Sequence, residues 1–583
     1  MPDINELPNL YSSDQNGLLN TINSLYNRIK KENMNPIWIS IISRENALKR
    51  VKQLLTIPTE DRSKFRLYGI PFAVKDNIDV VNLPTTAGCP AFACETATEN
   101  APVVEKLEQA GGILIGKTNM DQFATGLVGT RTPYGACASV FNKNYISGGL
   151  SSGSAVVVAS GLVTFALGTD TAGSSRVPAM FNNVIGLKPT RGLLSTRGVI
   201  PACCSLDCIF VFAETESDAA IIFFVACDFD ELDPYSSQTS SSLGATPWIS
   251  SSTFRFGIST IKTREFFGDM ENPKLFQNII DTIQRDLNGQ AIEFDFTPFL
   301  NVAALLYKGP WVAERYAAVG QFIDEHEADT DPTVYQIISN AKKYTAVDVF
   351  NDLYELERLK KQVDKLWKNF DVMLVPTALR AYTINEINGT PIEYNSHLGY
   401  YTNSVNLLDL AAIAIPASIR SDGLPFGVTL SSHAFTDNAL LLLGDRIHRL
   451  FSIKIAVVGA HLFGQPLNYQ LTERNGRLIR TCRTHHEYRL YALENTTPAK
   501  PDLICKIGSQ GPGIELEIWA LPNEHVASFI HLISSPLSIG NIYLEDEQIV
   551  KGFLVESSAL ETAQDITDLG GWRSYLETIN TSK

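Results

Sequence analysis

A chain of 583 residues, 44% of them hydrophobic and 19% charged, is long enough for two or more domains with large buried cores. Its formal charge of −15 argues against a nucleic-acid binder, which would carry a basic footprint. Nine scattered cysteines cannot staple a fold of this size, and Cys203, Cys204 and Cys208 have no second cluster with zinc-site spacing, so we expect buried, reduced thiols.

The first residues, MPDINELPNLYSSD, lack a basic segment followed by an apolar one. The apolar run 219–227 is about half of a membrane span. A cytoplasmic protein without membrane partners is expected. Residues 15–56 have helical periodicity and predict a helical cap over about 1–60. From 67 to 210, β-like runs (72–74, 112–115, 184–187) alternate with helix-like ones (102–110, 155–164), which predicts an α/β sheet protein. The serine-rich stretch 236–253 reads as an exposed loop. Helices are predicted over 272–288, 301–323, 346–369 and 437–450, and strands over 372–376, 411–416 and 426–430.

Beyond about residue 454 the texture changes to strands at 455–458, 514–518 and 549–555 with few helical signals. Glu515 and Glu517 alternate with Ile514, Leu516 and Ile518, the period of a half-buried strand. The boundary divides the chain into domains 1–454 and 455–583, the second of α+β type.

Two segments carry chemistry. Ser174 ends the run Gly168-Thr-Asp-Thr-Ala-Gly-Ser, where the small residues Ala172 and Gly173 allow backbone N–H groups to crowd a reacting carbonyl. Serine alone is a weak nucleophile and needs a base. No histidine lies in these motifs, but Lys75, in Ile70-Pro-Phe-Ala-Val-Lys, sits in an apolar frame that would lower its pKa and free it to accept a proton. Taken singly, these residues read as a turn serine and a surface or ion-paired lysine.

Together, 67–210 resembles the amidase signature family, with 147–190 carrying its glycine- and serine-rich signature. The segments LYGIPFAVKDNIDVVNLPTTAGCPAF, GKTNMDQFATGLVGTRTPYG, NNVIGLKPTRGLLSTRGVIPACCSLDC and GPWVAERYAA resemble allophanate hydrolases in particular. The later VVGAHLFGQPLN, IELEIWALP and DITDLGGWRSYL resemble the C-terminal domain of those enzymes, which is similar to γ-glutamylcyclotransferase folds. The resemblance implies an α/β/α sandwich with a large mixed central sheet and a Ser–cis-Ser–Lys triad. Ser174 would be the nucleophile and Lys75 the base, with oxyanion-hole amides on Thr171, Ala172, Gly173 and Ser174. Asp170 and Arg176 would support the turn. Tyr307 and Arg315 would contact the substrate carboxylate. On one continuous helix they would stand about 12 Å apart along the axis with an 80° offset, although Gly309-Pro310 can distort the segment.

By the same resemblance, the first domain would release ammonia from allophanate, and the second, with His461 as a candidate residue, would help decarboxylate the product. The small-molecule substrate would be allophanate or a similar ureido-carboxylate. No metal or organic cofactor is implied. A urea carboxylase partner would be a separate polypeptide, and a homodimer is expected.

One position departs from the pattern. The family's bridging serine stands 24 residues before the nucleophile, where this chain has Leu150. Leucine can neither donate nor accept a proton, and it lacks the hydrogen bond that would help offset a cis peptide. Ser151 is adjacent but projects differently. Ser175 and Met180 also replace the glycine and alanine usual in allophanate hydrolases. Three readings stay open: an allophanate hydrolase impaired at Leu150, a general amidase or the ammonia-delivering component of an amidotransferase, and a protein that binds a ureido-carboxylate or a carboxylase without turnover.

Overall fold

The computed structural model describes residues 4, 17–31, 35–93, 96–238, 253–309, 311–474, 476–493, 498–555 and 563–581. Most of the serine-rich stretch, 239–252, lies outside the described residues. Residues 10–448 form one compact unit, and 1–9 with 449–583 form another.

The larger unit is an α/β/α sandwich built on an eleven-stranded mixed sheet. Its strands are β1 (Trp38–Ile41), β2 (Pro71–Lys75), β3 (Ile113–Thr118), β4 (Phe165–Asp170), β5 (Ile185–Lys188), β6 (Cys208–Ala213), β7 (Phe254–Ser259), β8 (Gly289–Phe294), β9 (Val372–Pro376), β10 (Ala411–Ile419) and β11 (Pro425–Ser432). Their spatial order is β1-β3-β2-β4-β6-β5-β10-β11-β9-β7-β8. β2 is parallel to both β3 and β4, and β6 runs antiparallel to β4. Every residue of β2, β3 and β4 is buried. They therefore read as unbroken apolar runs rather than alternating ones. Phe72 and Phe165 stack across the β2–β4 pair with ring centroids 5.1 Å apart.

This topology sets the site. Lys75 ends β2 and Asp170 ends the neighbouring parallel β4, so both reach the same edge of the sheet. Cys208, the first residue of antiparallel β6, pairs with Asp170, which brings Asp207 to that edge too. Gly168 faces Phe210 across the β4–β6 pair, and a Cβ there would lie 2.4 Å from the phenyl ring. Only glycine lets the strands close.

Several expected boundaries change. The N-terminal cap holds the helices Gly17–Lys31 and Arg44–Leu55, but between them β1 joins the sheet edge by pairing with β3. The helix expected over 155–164 spans Ser152–Ala159 instead, because Gly161 turns at φ 61° and the chain enters β4. Arg28 caps that helix by donating to Ser160 O (2.7 Å) and Gly161 O (2.8 Å). The single helix expected over 301–323 is two, Thr297–Lys308 and Trp311–Glu325, divided at Gly309. The cysteines among the described residues are free but not uniformly buried: Cys204 and Cys505 are exposed. No helix among the described residues is long and apolar enough to cross a membrane.

The smaller unit has a five-stranded sheet of β12 (Ser452–Val457), β13 (Arg477–Arg483), β16 (Glu515–Pro522), β17 (Leu537–Tyr543) and β18 (Ile549–Val555). A second sheet pairs β14 (Tyr488–Ala492) with β15 (Pro501–Cys505) and β19 (Gln564–Asp565). Ile455, Leu516, Ile518, Trp519 and Trp572 belong to its core. The alternation at Glu515 and Glu517 does not put both side chains in solvent. Glu517 is buried, accepting from Arg573 Nη2 (2.5 Å), Trp519 Nε1 (3.0 Å) and Phe463 N (2.7 Å). That satisfaction is what lets a carboxylate enter the core.

Candidate active site

Residues 171–175 form a tight turn between β4 and the short helix Val177–Phe181. Asp170, at the turn's start, organises it. Its Oδ1 accepts from Gly173 N (2.8 Å) and Arg176 Nη2 (3.1 Å), and its Oδ2 from Ser175 N (2.9 Å), the Ser175 hydroxyl and Arg176 Nε. Burial opposes the charge, but the Arg176 guanidinium and these bonds hold the carboxyl down to about 2. Arg176 also donates to Thr402 O and Asn406 Oδ1, both at 3.1 Å. Asn406 Nδ2 in turn donates to Asp170 O (2.8 Å) and Leu206 O (3.1 Å). Ser175 thus joins the support of the turn, which a glycine would leave to the backbone.

Ser174 is buried, and its hydroxyl has no hydrogen-bond partner. Among the described residues, no acceptor engages the amides of Thr171, Ala172 and Ser174, whereas the Gly173 amide is held by Asp170. Three of the four amides expected to meet an oxyanion are therefore free, and the fourth is turned away.

Lys75 is fully buried, and burial is the largest influence on its ammonium, lowering its pKa. Asp207, Asp170 and Asp121 oppose that effect and Arg315 adds to it, leaving Lys75 at about 7. Its Nζ donates to Thr169 Oγ1 (2.9 Å) and Thr169 O (3.3 Å). No direct hydrogen bond joins it to Ser174. Leu150 is fully buried and packs with Met120, Ala124 and Ala202. The peptide bond before it is trans, the one cis bond among the described residues being Ser535–Pro536. The Ser151 hydroxyl bonds neither Ser174 nor Lys75; it lies against Gly168, where a built Cβ would be 3.0 Å away.

The break at Gly309 brings Tyr307 and Arg315 together instead of spreading them along one axis. Arg315 Cζ lies 5.5 Å from the centre of the Tyr307 ring. Ala172 of the serine turn shares an apolar cluster with Cys203, Leu306 and Trp311, and Tyr307 packs against it. Arg315 is 1% exposed. Its Nη1 donates to Ala124 O (3.0 Å) and Thr125 Oγ1 (3.4 Å), but Nε, Nη2 and the Tyr307 hydroxyl have no partner. A buried guanidinium with two unused N–H directions calls for an anion.

Asp207 carried no signal in the sequence, where it reads as part of a cysteine cluster. Its carboxylate accepts from the Thr171 hydroxyl, Ala202 N (2.8 Å) and Cys203 N (3.1 Å). Burial pushes it up to about 6 despite those bonds. Among the described residues no cluster of three or more His, Cys, Asp or Glu side chains could hold a metal ion. In the smaller unit, His461 Nε2 shares a hydrogen bond with Gln470 Oε1 (2.9 Å), and the ring stacks on Phe553 with centroids 5.0 Å apart. Burial lowers its pKa.

Residues 20–441 match the amidase family, and residues 453–577 match the allophanate hydrolase C-terminal domain. Urea amidolyase of Saccharomyces cerevisiae is 43% identical over 97% of this chain and 32% of its own length. Urea amidolyase of Lachancea kluyveri is 41% identical over 96% of this chain and 32% of its own length. The chain thus spans about a third of those relatives. Among solved structures, Kluyveromyces lactis allophanate hydrolase superposes with a TM-score of 0.72 at 39% identity, covering 99% of both chains. With the serine turn, the buried lysine and the mixed sheet in place, these matches show that the chain belongs to the amidase family and ends in an allophanate hydrolase C-terminal domain.

Proposed function

We propose that this chain hydrolyses allophanate in urea degradation, with Ser174 as nucleophile and Lys75 as base. The observation that carries the substrate class is the Arg315–Tyr307 pair, whose buried, unpartnered donors stand beside the nucleophile turn. They suit the carboxylate of a small ureido acid, which would also neutralise Arg315. Ser174 Oγ attacks the amide carbon while its proton moves to neutral Lys75. The carbonyl oxygen gains charge and is met by the amides of Thr171, Ala172 and Ser174. Collapse breaks the C–N bond, and Lys75 returns the proton to the departing ammonia. Water, deprotonated by Lys75, then frees the acyl group as N-carboxycarbamate. The smaller unit, with His461 as its candidate residue, assists decarboxylation of that product.

Leu150 removes the side-chain relay between Ser174 and Lys75, so the proton has to travel by water and turnover is slow. The same residue favours a second reading, binding of a ureido-carboxylate without turnover. Ammonia release from allophanate by the chain, by Ser174→Ala and by Leu150→Ser decides between them. Release that Ser174→Ala abolishes supports the enzyme; no release by either the parent or Leu150→Ser supports binding alone. A cytoplasmic homodimer, and a urea carboxylase that supplies allophanate, belong to the same proposal. Analytical ultracentrifugation tests the dimer.

A further inference from the structure

Thr402 approaches the nucleophile turn from a distant part of the chain. It precedes the helix Asn403–Leu407, and its backbone is fully engaged. Its N–H donates to Gly399 O (3.2 Å), and its carbonyl accepts from Arg176 Nη1 (3.1 Å) and Val405 N (3.2 Å). Its side chain is 1% exposed, and its hydroxyl has no partner. That hydroxyl faces Gly173: a Cβ built there would lie 2.4 Å from Thr402 Oγ1 and 2.7 Å from Thr402 Cβ. Gly173 adopts φ 135°, open to glycine, and the place its side chain would take is filled by Thr402.

A buried hydroxyl without a partner is destabilising unless a ligand completes it. Here the unpartnered hydroxyl stands against the one residue from Thr171 to Ser174 whose amide is engaged elsewhere. The Gly173 amide is turned onto Asp170, which leaves a gap in the row of donors from Thr171 to Ser174. Arg176 clamps the Thr402 carbonyl and Asp170 together, so the hydroxyl is held at the turn by the same ion pair that shapes it.

We propose that Thr402 is a further catalytic residue: its hydroxyl donates to the oxyanion that forms when Ser174 attacks, in place of the Gly173 amide. This rests on the reading of Ser174 as nucleophile, and it assigns a side-chain donor to a hole otherwise built of backbone.

The test compares Thr402→Val, which keeps the shape and removes the hydroxyl, with Thr402→Ser, which keeps the hydroxyl. Two rates are read in the full chain: ammonia release from allophanate, and labelling of Ser174 by an uncharged alkyl fluorophosphonate. The second forms a tetrahedral adduct and needs no carboxylate site. A lost hydrogen bond to developing charge lowers kcat by about tenfold or more with little change in KM. Thr402→Val is expected to show that fall in both rates, and Thr402→Ser to recover most of it. Parent rates in Thr402→Val would overturn the proposal. So would a loss in Thr402→Ser as large as that in Thr402→Val, since the retained hydroxyl would then recover nothing. If Ser174 is labelled but allophanate is not hydrolysed, the substrate reading fails while the labelling rates still decide on Thr402. No reaction of Ser174 with either reagent overturns both.

Discussion

Leu150→Ser is expected to make the protein less stable and faster. Leu150 is fully buried against Met120, Ala124 and Ala202. Truncating a buried leucine costs about 2–5 kcal/mol through lost burial and the cavity left behind. The new hydroxyl offsets part of that cost only if it pairs, and the unpartnered Ser174 hydroxyl is the group it is meant to meet. Lys75 Nζ, now spent on Thr169, would be the other end of the relay. General acid–base assistance contributes about 10²–10⁴-fold, so kcat for ammonia release is expected to rise by that order. KM should change less, because Arg315 and Tyr307 are untouched. Leu150→Ala is the control, since it opens a comparable cavity without a hydroxyl. Steady-state ammonia release and thermal unfolding are measured on parent, Leu150→Ser and Leu150→Ala. A parent as fast as Leu150→Ser would refute the reasoning, as would an equal gain in Leu150→Ala, which would trace the effect to space or water entry.

Arg315→Leu is expected to raise KM for allophanate by about tenfold or more, the loss of a charge-assisted hydrogen bond, and to leave hydrolysis of an uncharged amide much less affected; equal losses on both substrates would assign Arg315 a structural role. With Lys75 lowered to about 7 by burial, kcat/KM is expected to rise as pH increases through about 7 and the amine becomes neutral, and a flat profile between about pH 6 and 8 would remove Lys75 as the base. Asp502 of β15 is fully buried with both carboxylate oxygens unpartnered, and burial pushes it up to about 7. Its raised value means that the folded state holds a proton the unfolded chain has already lost, so its contribution is full below about pH 4 and declines as pH rises to about 7. Asp502→Asn should therefore raise the melting temperature at pH 8 and lose that advantage near pH 4; no difference between the two pH values would show that the carboxylate finds a partner in solution.

Much of the site is legible where the chemistry is local. The Gly168–Ser174 run and the apolar frame of Lys75 read singly as a turn serine and a surface or ion-paired lysine, and it is their joint resemblance to a known family that suggests the roles. The same resemblance exposes Leu150 as a departure. Strand β4 is hidden because Phe165–Leu167 continues the apolar texture of the helix before it. A buried parallel strand and a buried helix cannot be told apart by periodicity. Glu517 misleads for the opposite reason: its alternation is genuine, but Arg573, 56 residues away, supplies the charge that lets it be buried.

What tertiary structure alone decided is which distant residues meet. Sequence spacing spread Tyr307 and Arg315 along one helix; the break at Gly309 folds them onto each other. Asp207 became part of the site only because antiparallel β6 starts where β4 ends. Thr402 reached Gly173 through the Arg176 clamp, which spans 226 positions of the chain. Hydrogen bonds and packing act through space over a few ångströms, so the local pattern of residue types can specify a turn or a strand, while the partners of a buried hydroxyl or guanidinium are set by how the strands are ordered in the sheet.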